Sequence, residues 1–77
     1  MPSLREQFGL RLRAIRAEKK MSQEQFAELL GISVDFLSLI ERGINAPSFE
    51  NLESFSIQIG VPVWKLFVFK QPSEAAE

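Results

Sequence analysis

Seventy-seven residues, 45% of them hydrophobic and 25% charged, are enough for one small globular domain with a single core. The chain has no cysteine and no histidine, which excludes disulfides, the usual zinc ligand sets and serine–histidine catalysis. A net charge of −1 hides an asymmetry: residues 1–20 carry six basic and two acidic side chains, the remainder three and eight.

No apolar run approaches the roughly 18 residues that a membrane helix needs, and the amino terminus lacks the apolar region of a signal peptide. A cytoplasmic location with no membrane partner is expected. Taken in order, Ser3 and Glu6 form an S-x-x-E capping box. They precede Leu4, Phe8, Leu12 and Ile15, which share one face of a helix running to about Lys20. Ser22 and Gln25 repeat the capping pattern, and Phe26, Leu29 and Leu30 follow at helical spacing. Gly31 then supplies the left-handed residue that ends a helix. Ser33 caps a third helix with Leu37 and Ile40 on its apolar face and Gly43 at its exit. Two short helices joined by a tight glycine turn can present the second one to a DNA groove.

After the linker Ile44–Pro47, Ser48 caps a fourth helix with Phe49, Leu52, Phe55 and Ile59 as its apolar positions and Gly60 at its end. Pro62 is placed to begin a fifth, short helix through Phe67. Gln71–Glu77 reads as a frayed polar tail, which sets the expected boundaries at a domain over 1–69 and a disordered segment over 70–77. The expected fold is all-α, a compact five-helix domain, with Phe26, Leu37, Ile40, Phe49, Leu52 and Phe55 in its core.

Gly9 through Phe67 resembles the Cro/CI-type helix-turn-helix proteins, the xenobiotic-response-element family of small bacterial and phage regulators. The runs that carry the resemblance are LRAIR, SQEQFAELLGIS, IERG at Ile40 to Gly43, APS, and GVPVWKLF. It implies a lambda-repressor-like fold, sequence-specific binding to double-stranded DNA and usually a homodimer; no enzymatic activity is expected, because the residues offer no constellation of nucleophile, base and acid. No cofactor, metal or small-molecule ligand is implied.

By the same resemblance, Gln23 falls where a side chain meets a DNA phosphate at a helix start. Arg42 and Asn45 fall where the backbone is gripped on the far side, with basic groups of the first helix, Arg11 and Arg13, adding affinity. Ser33, Val34, Asp35, Ser38 and Leu39 occupy the base-reading helix, and Arg16 with Glu41 matches a structural ion pair. Val34, Asp35 and Leu39 stand where relatives often carry purine-bonding side chains. The two apolar ones can pack on thymine methyl groups, and Asp35 can accept from cytosine N4.

Ile57 lies off the apolar face of the fourth helix, and Trp64 sits where relatives usually show a polar residue. With Val68 and Phe69 they form a candidate dimer interface. The reading that follows is a homodimeric repressor or autoregulator on a pseudo-palindromic operator. Two alternatives stand beside it. One is a restriction-modification controller or antitoxin-type regulator. The other is a protein-interaction module that docks the apolar surface of Val34, Phe36 and Leu39 on a partner.

Overall fold

The computed structural model describes residues 2–69, so the tail expected over 70–77 lies outside the described residues. Four α-helices follow one another, α1 over Leu4–Glu18, α2 over Gln23–Leu30, α3 over Val34–Glu41 and α4 over Phe49–Ile59. A 3-10 helix over Val63–Phe67 is the last element among the described residues, which contain no strand.

The helix starts follow from local chemistry. Ser3 Oγ accepts from Glu6 N–H at 3.2 Å while Ser3 N–H donates to Glu6 Oε1 at 2.8 Å, and Ser22 with Gln25 repeats the exchange at 3.1 and 2.9 Å. Each reciprocal pair satisfies two groups that a helix start leaves without intrahelical partners. Ser48 caps α4 through Asn51 N–H at 3.0 Å, and the Asn51 side chain returns to Ser48 N–H at 3.2 Å. Asn51 thus completes a third capping box, in the place that Glu6 and Gln25 hold in the first two.

The helix ends differ more from the expected ones. The first helix stops at Glu18 because Lys20 takes a left-handed φ of 57°. In that turn Lys20 N–H donates to Ala17 O at 3.0 Å and Met21 N–H to Arg16 O at 3.3 Å, the bonds of a Schellman ending with a lysine where glycine is usual. The fifth helix is a five-residue 3-10 turn. Its start at Pro62 has no side-chain cap, and so short a segment gains too few i→i−4 bonds to offset an α-helical nucleus.

The core gathers Phe8, Leu12 and Ile15 of α1, Phe26, Ala27 and Leu30 of α2, Leu37 and Ile40 of α3, Phe55 of α4 and Leu66 of the 3-10 turn. Leu66 is fully buried and stood outside the expected core. Phe49 is the opposite case: expected in the core, it is 86% exposed. As the first residue of α4 it projects beyond the level at which Phe55 meets the other helices, and Leu52 is only half-buried. Leu4, first residue of α1, is exposed for the same reason. Between these two helix starts lies an apolar groove of about 390 Å³, lined by Leu4, Phe8, Pro47, Phe49, Leu52 and Phe67.

One contact sets how closely α1 approaches α3. A Cβ at Gly9 would stand 2.3 Å from Ile40 O and 2.7 Å from Glu41 O, so only glycine lets the two backbones meet there. Gly43 meets two demands together. Its φ of 76° is left-handed, and a Cβ would lie 2.9 Å from Glu6 Cα. The exit of α3 is therefore pinned against α1 at two successive places.

Candidate nucleic-acid interface

The geometry of α3 begins with Ser33, whose Oγ accepts from Phe36 N–H at 3.0 Å. Within the helix Leu37, Ile40 and Glu41 are buried, Val34, Phe36, Ser38 and Leu39 half-buried, and Asp35 alone exposed. Val34 and Phe36 pack against the core. This corrects the view of an apolar outer surface: the helix directs two of its three candidate docking residues inward. The outward row is Asp35, Ser38, Leu39 and Arg42, at the i, i+3, i+4, i+7 spacing of one helix face. Val34 contributes to that face only at its edge.

Arg42 is exposed at the end of α3, where its backbone N–H and its Nε both donate to Ser38 O, at 3.1 and 3.4 Å. A cation there also meets the negative end of the helix. Asn45 is exposed, with its backbone N–H on Leu39 O at 3.3 Å, so it follows α3 in a tight turn beside Arg42.

Beneath this face lies a polar cluster joining three helices. Arg16 Nε donates to Glu41 Oε2 at 2.8 Å and Arg16 Nη2 to Glu41 Oε1 at 3.1 Å, a two-pronged ion pair. Arg16 Nη1 donates to Met21 O at 3.1 Å, in the turn before α2. Gln23 Nε2 donates to Glu41 Oε1 at 3.0 Å. The Glu41 side chain is 3% exposed and that of Arg16 19%. Among the described residues no buried side-chain nitrogen or oxygen lacks a partner. Sequence spacing brings Arg16 and Glu41 together only through the resemblance, and gave no signal that Gln23 joins them.

The two arginines assigned to phosphate on α1 are not equivalent. At 3.6 residues per turn, Arg11 and Arg13 point about 200° apart, so one helix face cannot present both. Gly9 and Arg16 mark the side of α1 that meets α3, and Arg13, exposed, lies within about 60° of both. Arg11 lies opposite, half-buried, where its Nε donates to Lys65 O at 3.1 Å. Arg11 is therefore withdrawn from the phosphate set: its guanidinium ties α1 to the 3-10 turn.

At the other end, Ile57, Trp64 and Val68 are exposed at 71, 65 and 50%, and Val63 adds to them. Phe69 is half-buried, its ring edge-on to Phe67 with centroids 6.1 Å apart, and Phe67 in turn packs on Phe8 at 5.1 Å. Lys65 Nζ sits 5.7 Å from the Trp64 ring centroid. That distance is within reach of a cation–π attraction on an exposed aromatic.

Residues 12–63 match the family model described as helix-turn-helix. Over 68 residues the chain is 35% identical to the control protein C.MunI from a Mycoplasma species, covering 87% of this chain and 92% of that protein. It is also 40% identical over 55 residues to the immunity repressor protein of Bacillus phage phi105. That stretch is 71% of this chain but 38% of the repressor, so the chain matches well under half of that relative's length. Among solved structures it is similar to the restriction-modification controller protein C.AhdI from Aeromonas hydrophila, with a TM-score of 0.76 and 32% identity. That likeness covers 82% of this chain and 96% of the controller.

Proposed function

The chain belongs to the helix-turn-helix family, and from that premise we propose that it is a DNA-binding transcriptional regulator acting as a homodimer on a pseudo-palindromic operator. The observation that carries the reading is the outward row of α3, Asp35, Ser38, Leu39 and Arg42, held at a fixed angle by the Arg16–Glu41 pair and the glycine contact with α1. A reading helix needs a rigid platform, since misplacing it shifts every base contact at once.

The phosphate contacts assigned to Gln23, Arg42, Asn45 and Arg13 flank that row, and Ser33, Asp35, Ser38 and Leu39 discriminate between bases, with Val34 at the margin. Asp35 accepting from cytosine N4 and Leu39 against a thymine methyl are the contacts that such residues can make. Dimerisation through Ile57, Trp64 and Val68, with the half-buried Phe69 beside them, is supported by the exposure of the first three on α4 and the adjoining turn, and would set two α3 helices about 34 Å apart, one helical turn of DNA. Within this reading, a restriction-modification controller is favoured as the biological setting by near full-length similarity to one protein named a restriction-modification controller and another named a control protein.

Two cations per subunit, Arg13 and Arg42, neutralise about four phosphates in a dimer, which gives a slope of about −4 for log K against log salt. Binding to duplexes selected from a random pool, measured across a salt series, tests this. A slope near zero, or failure to select any sequence, would remove the DNA-binding proposal.

A further inference from the structure

Glu41 presents a physical problem for a DNA-binding surface. It places a carboxylate directly against Gln23, the side chain assigned to a phosphate, and two negative groups converging on one amide should weaken binding. The hydrogen bonds around Glu41 show how the problem is resolved.

Arg16 engages both carboxylate oxygens, at 2.8 and 3.1 Å, so the acid is neutralised where it stands. The same guanidinium is fixed by its third bond, to Met21 O at 3.1 Å, two residues before Gln23. Glu41 Oε1 then accepts one N–H of the Gln23 amide at 3.0 Å. A free glutamine amide presents its oxygen or its nitrogen with nearly equal ease, and only the nitrogen can donate to a phosphate. Here the flipped amide would set its carbonyl oxygen against a carboxylate, two acceptors with no proton between them. The nitrogen therefore stays on the Glu41 side, and it carries a second N–H that Glu41 does not use.

We propose that Arg16 and Glu41 are positioning residues for DNA binding: they orient the Gln23 amide so that its remaining N–H is held as a donor for a backbone phosphate. This inference rests on the reading of Gln23 as a phosphate contact. Glu41 fixes the direction of the amide, and Arg16 removes the charge that would otherwise repel the phosphate. The same three side chains tie α1, the start of α2 and the end of α3 together, so the phosphate contact and the angle of the reading helix are set by one cluster. Gln23 thus enters the complex with its rotamer already chosen, which spares the ordering cost of a long side chain at an interface.

The test uses a duplex selected by the wild-type protein, with single phosphates replaced in turn by neutral methylphosphonate. In wild type, one position per half-site should depend on Gln23, seen as a loss of affinity on replacement that disappears in Gln23→Ala. In Arg16→Lys and Glu41→Gln, the penalty at that same position should shrink while other positions keep theirs, and overall affinity should fall roughly two- to tenfold per half-site. If both variants keep the full penalty there, or lose affinity evenly at every phosphate, the pair is only structural and the inference is overturned. If Gln23→Ala gives the wild-type map, the underlying phosphate assignment fails instead, and the two failures are told apart.

Arg16→Lys keeps the charge but cannot grip both Glu41 oxygens and Met21 O at once, so the carboxylate that orients Gln23 is released; this variant separates positioning from charge and carries the test should Glu41→Gln not fold. Side-chain amide exchange in the free wild-type protein gives an independent reading. One Gln23 Nε2 proton should exchange with solvent about tenfold more slowly than those of the other glutamines, as expected for a hydrogen-bonded donor. Equal rates would also overturn the inference.

Discussion

Where α1 packs on α3, Gly9 lets one backbone rest on another and the buried Glu41 is paired on both oxygens, whereas along α4 and the 3-10 turn Ile57, Val63, Trp64 and Val68 stand in solvent. The first region is complete within one chain. Its contacts are too close to admit a methyl group, and each of its buried side-chain polar atoms has a partner. The second leaves large apolar groups without cover, although apolar burial is the main source of stability for so small a domain. The contrast separates a seam that sets the angle between α1 and α3 from an exposed apolar end on α4, the surface proposed above for dimerisation.

The strongest way to break the seam is Gly9→Ala. Judged by helix propensity alone, alanine in the middle of α1 should stabilise by up to about 1 kcal/mol. The Cβ contact of 2.3 Å with Ile40 O opposes that, because the backbone oxygen cannot move without separating α3 from α1. Overpacking of this kind costs about 1–3 kcal/mol, and here it should win, with a net loss of about 1 kcal/mol and a midpoint lowered by roughly 6 °C. Thermal unfolding followed by circular dichroism decides the sign. A raised midpoint would mean that the seam has slack.

The α4 end should answer differently. Ile57→Glu and Trp64→Ala lie on exposed positions, so the stability of the single chain should change by no more than about 0.5 kcal/mol. Sedimentation equilibrium should instead show the dimer weakened by both substitutions. An undisturbed dimer in both variants would place the interface elsewhere, with the groove beside Phe49 and Leu4 as the next surface to probe.

A smaller effect sharpens the seam at its outer edge. Bonds from Ser3, first its backbone N–H and then its hydroxyl, hold the Glu6 carboxyl below the ordinary glutamate range. A lowered pKa contributes stability that is present above the unfolded value and is lost as pH falls through the folded one. The start of α1 should therefore fray at the acid end of the carboxylate range, seen as faster amide exchange at Glu6 and Gln7. Glu6→Gln should blunt that dependence. An acid response identical to wild type in this variant would assign the fraying to another group.

Legibility in the sequence follows the range of the interactions. The caps at Ser3, Ser22, Ser33 and Ser48 were readable because each acts over three residues, and the buried stripe of Phe8, Leu12 and Ile15 because helical periodicity is local. Phe49 was misread because periodicity tells which way a residue points on its helix, not whether another element lies opposite. Val34 and Phe36 were read as outward for a related reason, since the depth at which α3 sits between α1 and α2 has no signature in its own eight residues. Arg11 and Arg13 looked alike as basic residues of one helix until the position of the 3-10 turn gave Arg11 a carbonyl to bind.

The sequence by itself determined where α1 to α4 begin, the turn at Gly31 and the family to which the motif belongs, all of which are encoded in short-range chemistry. Only the tertiary structure decided that Gly9 is the point where α1 meets α3, that Gln23 shares Glu41 with Arg16, and that Asp35, Ser38, Leu39 and Arg42 form the outward face. Those facts depend on which atoms approach one another across 18 to 32 positions of chain. Such separations carry no periodicity, and a glycine in a helix or a glutamine after a cap looks ordinary until its distant neighbour is in place.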